Sequence, residues 1–265
     1  MCGKFTALAS WSEVVEFSQS LAESGDSEES GDGEGSDDSI VTFRVGGPLP
    51  VIIWDAEARV RRVVRMRWGF PDPRDWRRPR PIHARSETIE AKEPFRMAFH
   101  AGQRGIVVFR TLNEGEEVIK PSGKTETRQW TIDPQDGQPR GFAFVWRRFE
   151  IADLPAPMLA CVMATVPANE LIRRTIKSRE DDPHMPAILE DDAWSTWLGE
   201  DDATPDAAKA LLKTMEGVNW QSALEPKKPR PRKPWWGKPP RLASRRRRTS
   251  TSCSLCCVWP LPAVA

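Results

Sequence analysis

Cys2 follows the initiator methionine directly and combines two nucleophiles in one residue. Initiator methionine is commonly removed when a small residue follows, and the loss of Met1 leaves a free α-amino group beside the thiol. The reference pKa of an α-amine is about 7.7 to 8.0, so a useful neutral fraction exists near pH 7. This amine can attack an aldehyde, and the neighbouring thiolate can close the resulting imine to a five-membered thiazolidine. The competing interpretation is that position 2 holds a small residue without any chemical role.

Four segments further along the chain favour a chemical role for Cys2, because they follow one another in a specific order. With MCGK at the start, the series is RMRWGFP (65–71), PIHARSETI (81–89), RGIVVFRTLNEGEE (104–117) and HMPAILEDDAWSTWLGE (184–200). It resembles the SRAP family of SOS response-associated peptidases, also known as abasic-site-processing proteins. The family pattern is Met-Cys-Gly-Arg, Arg-Trp-Gly-hydrophobic, Asn-Ala-Arg-Ser-Glu-Thr, an Arg-led strand ending in Glu, and a His shortly before Met-Pro. The resemblance covers roughly residues 1–220, apart from an acidic insert.

The resemblance implies specific catalytic roles. Cys2 is the expected nucleophile that captures an abasic site in single-stranded DNA. Glu114 matches the catalytic carboxylate, which can move protons during imine formation and stabilise the iminium; the alternative is a solvated acid in the run EGEE. The resemblance further implies autocatalytic exposure of Cys2, a peptidase-like assignment, and possible DNA lyase activity through the same imine.

Two positions depart from the family pattern. His83 stands where the family usually has Asn, and its imidazole can still form hydrogen bonds. Asp182 occupies the position of the family His, whereas His184 precedes Met185, where the family tends to have Arg. Either His184 takes over through a shifted loop, or the crosslink-reversing step is weakened. A surface-loop histidine is the alternative for His184.

Four residues are candidates for DNA binding. Lys4 replaces a family Arg, keeping the charge but losing the bidentate fork. Arg85 lies in a structured turn and can bind phosphate bidentately. Trp68 and Phe70 are predicted to stack on bases that flank the lesion, an interaction worth about 1 to 3 kcal/mol per base. The alternative is that both are anchors of the core.

Composition and charge divide the chain into regions. With 265 residues, 39% of them hydrophobic, it can bury one sizeable core. The net charge of +1 hides an acidic Ser/Gly-rich insert at about 23–39 and a basic, Pro-rich tail at 224–265. Neither region can bury enough apolar surface to offset its ordering entropy. We therefore expect one domain, 1–223, with a disordered insert and tail.

Short apolar runs separated by turn sequences predict a strand-rich core. The predicted strands are 41–45, 49–54, 63–68, 105–109, 129–132, 142–146 and 159–165, and the predicted helices are 8–21, 168–175, 191–198 and 206–215. The fold class is α+β: a barrel-like mixed sheet flanked by short helices, as the resemblance implies.

Several classes of protein are disfavoured. Cys253, Cys256 and Cys257 supply too few ligands for zinc, so no metal site and no cofactor are expected. No phosphate-binding loop, dinucleotide fingerprint or G-x-S-x-G segment is present. Apolar runs are too short to cross a membrane, and a disulfide framework is not expected. A monomer in the cytoplasm, associated with the nucleoid, is expected, or a nuclear protein in a eukaryote.

The leading hypothesis is therefore a protein that crosslinks itself to abasic single-stranded DNA. One alternative is a noncatalytic nucleic-acid-binding module that has lost the capture chemistry through the changes at His83 and Asp182. A second alternative is a hydrolase that cleaves other proteins with Cys2 as the nucleophile.

Overall fold

The computed structural model describes residues 4–7, 41–138, 140–176, 182–216 and 219–226. All of them belong to one compact unit that ends at Pro226. Cys2, the predicted helix 8–21, the acidic insert and the tail from residue 227 onward lie outside the described residues. The domain boundary near residue 223 remains a prediction.

Short elements make up the described residues. The strands are β1 (Lys4–Ala7), β2 (Val41–Arg44), β3 (Pro48–Asp55), β4 (Val60–Trp68), β5 (Pro71–Asp72), β6 (Asp75–Pro79), β7 (His83–Arg85), β8 (Arg104–Phe109), β9 (Thr111–Ile119), β10 (Thr125–Pro134), β11 (Arg140–Phe149), β12 (Met158–Pro167), β13 (His184–Pro186), β14 (Ile188–Leu189) and β15 (Trp220–Leu224). The helices are α1 (Arg96–His100), α2 (Glu170–Ile176), the 3-10 turn Asp191–Ala193, α3 (Trp194–Leu198) and α4 (Pro205–Ala210).

Five strands close into a barrel in the order β12-β4-β3-β8-β11 and back to β12. All neighbours are antiparallel except β12 and β4, which run parallel. The strands β7, β13 and β14 extend this sheet, with β7 parallel to β12. The prediction of a strand-rich, mixed, barrel-like core with short helices is confirmed.

A second sheet, in the order β15-β10-β9-β1-β2, packs on the barrel through β1. Phe5 of β1 is buried, and its ring centroid lies 5.3 Å from that of Trp68 and 5.2 Å from that of Phe142. Both partners are barrel residues. The strand β1 is therefore anchored against the barrel by an aromatic cluster.

The predicted strands all coincide with observed strands, but one predicted helix is too long. Apolar spacing predicts a helix over 206–215, whereas α4 ends at Ala210. The reason is tertiary: Thr214 donates its hydroxyl to the Pro167 carbonyl, and the Asn169 amide donates to the carbonyl of Met215. These contacts hold the segment in a non-helical path. The predicted strands do not include β15, which pairs with β10 from Trp220 to Leu224.

Two glycines let barrel elements approach closely. A Cβ atom on Gly105 would lie 2.5 Å from Cγ1 of Val51, and one on Gly141 would lie 2.8 Å from Cγ2 of Ile106 and 3.0 Å from the Trp194 ring. Ordinary side chains would overpack these contacts. Among the described residues, no helix has the length and apolar character needed to cross a membrane.

Candidate functional site

Glu114 lies in the middle of β9 and is fully buried, with 0% of its surface exposed. It stands opposite Trp130 of β10 in the antiparallel register. The next residue back, Asn113, pairs with Lys4 of β1. The alternative of a solvated acid is therefore wrong for Glu114, whose carboxyl group lies inside the protein beside the strand that carries the start of the chain.

Lys4 is placed by its main chain alone, between Asn113 on one side and Arg44 on the other. Its side chain lies outside what the structure describes, as does the whole of Cys2. The predicted DNA contact of Lys4 and the nucleophilic role of Cys2 therefore remain predictions.

Glu116 is a second buried carboxylate that the sequence reasoning missed. It is 8% exposed, and its Oε2 accepts a hydrogen bond of 3.0 Å from the indole Nε1 of Trp130. Alternate residues of a strand share a face, so Glu114 and Glu116 project from the same side of β9. The period-2 spacing of the two acids was the available signal, but the charged run EGEE looked solvated.

The strand β7 brings two candidate residues to one face beside β12. His83 pairs with Met163 and Arg85 with Thr165, while Ala84 between them is buried. His83 is half-buried. The side chain of Arg85 is 48% exposed, and its Nη1 lies 3.4 Å from Oδ2 of Asp182. An exposed pair of this kind is worth little, about 0 to 1 kcal/mol, so Arg85 can exchange this partner for a phosphate.

His184 is buried, with 2% of its surface exposed. Its Nδ1 lies 3.0 Å from the carbonyl oxygen of Asp182, and its Nε2 lies 3.1 Å from Oε1 of Glu87. The alternative of a surface-loop histidine is wrong. Both ring nitrogens therefore lie within hydrogen-bonding distance of an oxygen atom. Asp182, at the position of the family His, has an exposed side chain.

The neighbouring carboxyl group of Glu87 responds to this contact. Partial burial raises its pKa, but hydrogen bonds from its own main-chain N–H and from His184, with the charge of His184, outweigh that effect. The pKa of Glu87 consequently lies below its ordinary value. The motif HARSET thus contributes a carboxylate that anchors the buried histidine, which the sequence did not predict.

The stacking role predicted for Trp68 and Phe70 is corrected by their burial. Trp68 is 0% and Phe70 1% exposed. The indole Nε1 of Trp68 donates to the Ile82 carbonyl, and the Phe70 ring packs 5.1 Å from Phe149 in an edge-on contact. Both rings are therefore covered by other parts of the protein. The alternative of core anchors is the one that the structure supports, because both residues end or follow a barrel strand.

An arginine-rich hairpin, β5 and β6, offers a different aromatic surface. Its exposed arginines are Arg74, Arg77, Arg78 and Arg80. The guanidinium carbon of Arg77 lies 4.9 Å from the ring centroid of the half-buried Trp76, whose Nε1 donates to Oδ2 of Asp153 at 3.3 Å. The sequence analysis gave this segment no role, although the run PRDWRRPR combines cations with an aromatic residue.

Arg67 of β4 holds this hairpin through two hydrogen bonds to its main chain. Its Nη1 donates to the carbonyl of Trp76 at 2.6 Å, and its Nη2 donates to the carbonyl of Arg77 at 2.5 Å. The planar guanidinium suits two acceptors in this fork geometry. The hairpin leads within four residues into β7, so its position and that of Arg85 are coupled along the chain.

Other nucleophiles and ligands contribute little. Within the described residues, no three His, Cys, Asp or Glu side chains are grouped as metal ligands. Cys161 is fully buried, and burial raises the pKa of its thiol, which keeps it neutral and unreactive. The three tail cysteines lie outside the described residues.

Comparison with known proteins identifies the family. The sequence model of the SRAP family, described as SOS response associated peptidase, matches residues 1–225. No curated protein sequence matches the chain. A crystal structure of a protein from Bordetella bronchiseptica has a TM-score of 0.66 and 20% identity, covering 85% of this chain and all of its own.

Two further crystal structures share the fold. A protein from Bacteroides thetaiotaomicron has a TM-score of 0.57 and 19% identity, covering 69% of this chain and 76% of its own. A phage-related protein from Bordetella bronchiseptica has a TM-score of 0.59 and 16% identity, covering 85% and 95%. Identities this low show the fold alone, whereas the sequence match extends over most of the chain. This protein therefore belongs to the SRAP family of SOS response associated peptidases.

Proposed function

We propose that this protein captures abasic sites in single-stranded DNA by forming a thiazolidine crosslink through Cys2. The observation that carries the proposal is the pairing of Lys4 with Asn113, immediately before the buried Glu114. Two residues of chain span at most about 7 Å. Because Cys2 precedes Lys4 by two residues, this pairing supports the proposal that Cys2 acts together with the Glu114 carboxyl group.

The chemistry follows from the aldehyde of the ring-opened abasic sugar. After Met1 is removed, the α-amine of Cys2 adds to the aldehyde carbon, and the carbinolamine loses its hydroxyl group as water. Glu114 donates a proton to that leaving hydroxyl group and takes one from the amine. The thiol sulfur then adds to the imine carbon, and its proton passes to the imine nitrogen. The ring closes with the net loss of one water.

A buried carboxyl group suits this role. Low dielectric around Glu114 strengthens its interaction with a developing iminium charge. The same imine permits elimination of the phosphate on the 3′ side, so we propose DNA lyase activity as a side reaction. The autocatalytic exposure of Cys2 agrees with the peptidase description of the family, because it requires cleavage of the Met1–Cys2 bond.

The DNA strand is proposed to follow the exposed cations beside this site. Arg85 has only a weak surface partner, and the hairpin β5 and β6 adds exposed guanidinium groups. Such groups bind phosphates and release counterions. Trp76 provides a ring on which a base can stack without sequence preference. An unpaired strand meets both requirements, since its bases are available for stacking.

A crosslinking gel tests the proposal. The mature chain is incubated with a single-stranded oligonucleotide that contains one abasic site, and a denaturation-resistant shifted band is expected. Cys2→Ala should abolish the band, whereas Cys253→Ala, a matched cysteine change in the tail, should retain it. Intact mass verifies the loss of Met1 in each variant. Absence of the band for the parent chain, or its persistence in Cys2→Ala, overturns the proposal.

The second candidate function is a noncatalytic module that binds single-stranded nucleic acid. It is favoured by one observation: the residue at the position of the family His is the exposed Asp182, while His184 is buried. Retained binding without a crosslink would support this candidate. If the protein is instead a hydrolase that acts on other proteins, it should cleave members of a peptide library. The absence of cleavage would exclude that function.

A further inference from the structure

Trp130 lies opposite one buried carboxylate of β9 and contacts the other. It stands directly opposite Glu114 in the register, and its indole N–H donates to Oε2 of Glu116, two residues further along. Directly opposite residues have Cβ atoms about 4.5 to 5.5 Å apart, and the diagonal neighbour lies about 7 to 8 Å away. The indole therefore crosses the face of the sheet from the position opposite Glu114 towards Glu116.

The exposed fractions of Trp130 and Glu114 indicate how the indole ring affects the carboxyl group. Trp130 is partly exposed, whereas Glu114 is 0% exposed. A large, flat side chain directly across the ladder is well placed to exclude water from its neighbour. The hydrogen bond from the indole N–H to Oε2 of Glu116 ties the ring to a side chain that is itself buried. Glu116 is therefore an effective anchor for the orientation of the indole.

Burial of Glu116 has an energetic cost that an apolar side chain would avoid. A carboxylate removed from water must be compensated by hydrogen bonds, and Glu116 is 8% exposed with the Trp130 donor in place. The next residue, Glu117, is exposed. A polar pair at a position where an apolar pair would stabilise the sheet more suggests a role in the site.

We propose that Glu116 and Trp130 are positioning residues for Glu114. This inference rests on the proposed function and deepens it. The hydrogen bond from Trp130 to Glu116 fixes the indole, and the fixed indole holds the Glu114 carboxyl group dry and in the orientation needed for proton transfer to the carbinolamine. Neither positioning residue touches the reacting atoms.

The test measures crosslinking rates of the full-length mature chain at increasing concentrations of the abasic oligonucleotide. Trp130→Phe keeps a ring and removes the donor, and Glu116→Leu removes the acceptor. Because small misplacement of a catalytic group is costly, each should lower the maximal rate constant about tenfold. The half-saturating DNA concentration should not change. Glu116→Gln keeps an acceptor for the indole N–H, so the hydrogen bond that holds the ring is retained. The maximal rate constant of this variant should therefore stay within about twofold of the parental value.

The two single changes break the same contact from opposite sides. Their combination should therefore be no slower than either alone, whereas independent effects would multiply. Glu117→Gln, on the exposed face of the same strand, serves as the matched control and should leave the rate unchanged. Circular dichroism melting checks that each variant is folded, and Glu116→Leu provides a second route if Trp130→Phe does not fold.

The outcomes separate this inference from the proposed function. If the parent chain forms no crosslink, both fail. If the parent crosslinks and both Trp130→Phe and Glu116→Leu react at the parental rate, only the positioning role is overturned. The positioning role is also overturned if the changes alter the half-saturating DNA concentration instead of the maximal rate constant. It is overturned as well if Glu116→Gln is as slow as Glu116→Leu, because the charge of Glu116 and not its hydrogen bond would then explain the loss of rate.

Discussion

The Nε2 atom of His184 lies 3.1 Å from Oε1 of Glu87, and this contact joins β13 to the turn that follows β7. The histidine is buried, while the carboxylate reaches it from a side chain that is 46% exposed. Arg85, two residues before Glu87, pairs with Asp182, two residues before His184. Two contacts, Arg85 with Asp182 and Glu87 with His184, thus join the segment that carries the proposed phosphate-binding arginine to the segment that carries His184.

The free energy of unfolding at acidic pH should depend on the contact between Glu87 and His184. Its pKa in the folded protein is depressed below the unfolded value, so its contribution is present above the unfolded pKa and is lost as pH falls through the folded pKa. Glu87→Gln should lower the melting temperature at pH 7 and differ less from the parent below about pH 4, near the reference carboxyl pKa. Solvent screening keeps the difference below about 1 kcal/mol. Equal melting-temperature differences at both pH values would contradict the prediction.

Replacement of the buried carboxyl group should separate capture from binding. Glu114→Gln keeps the size of the side chain but cannot transfer protons, so the crosslinking rate should fall about 100-fold. Affinity for an oligonucleotide without an abasic site should be unchanged, as measured by fluorescence anisotropy. Glu117→Gln is the exposed control. A Glu114→Gln protein that crosslinks at the parental rate would remove the carboxyl group from the mechanism.

Loss of the half-buried Trp76 ring should weaken binding without altering its salt dependence. Trp76→Ala is expected to reduce affinity for single-stranded DNA by about 1 to 3 kcal/mol, the value of one stacked base. Trp68→Phe, a change in the core, should leave affinity unchanged while lowering the melting temperature. Anisotropy titrations at several salt concentrations provide the measurement. The assignment fails if Trp76→Ala binds like the parent.

Arg85 should be recognised by its salt dependence. Arg85→Gln removes one phosphate contact, so the slope of log affinity against log salt should become shallower by about 0.7 for a single strand. Arg148→Gln changes an exposed arginine paired with Glu150 and serves as the control. An unchanged slope in Arg85→Gln would mean that the guanidinium group does not contact a phosphate.

A core glycine tests the packing of the barrel. Gly141→Ala places a methyl group within 3.0 Å of Ile106 and Trp194, and overpacking of this kind costs about 1 to 3 kcal/mol. Urea denaturation should show a lower midpoint with an unchanged slope. A midpoint equal to that of the parent would show that Trp194 can move aside without cost.

The predicted barrel strands agree with the structure because their signals are local. Runs such as 142–146 and 159–165 are apolar and bounded by turn residues, and a fully buried strand requires that pattern. The short helices at 168–175 and 191–198 were also predicted near their observed positions, although α4 is shorter than its apolar spacing indicates. Tertiary hydrogen bonds to Thr214 and Asn169 decided its end.

The amino-acid sequence alone determined the family, the strand-rich class and the candidate Glu114, because ordered motifs and apolar runs can be recognised without knowing their neighbours in space. Only the tertiary structure decided that Trp68 and Phe70 lie in the core, that His184 is buried against Glu87, and that Trp130, opposite Glu114, donates to Glu116. Each of these depends on which face of a strand meets another element. Such contacts join residues far apart in the chain, so local sequence patterns carry little information about them.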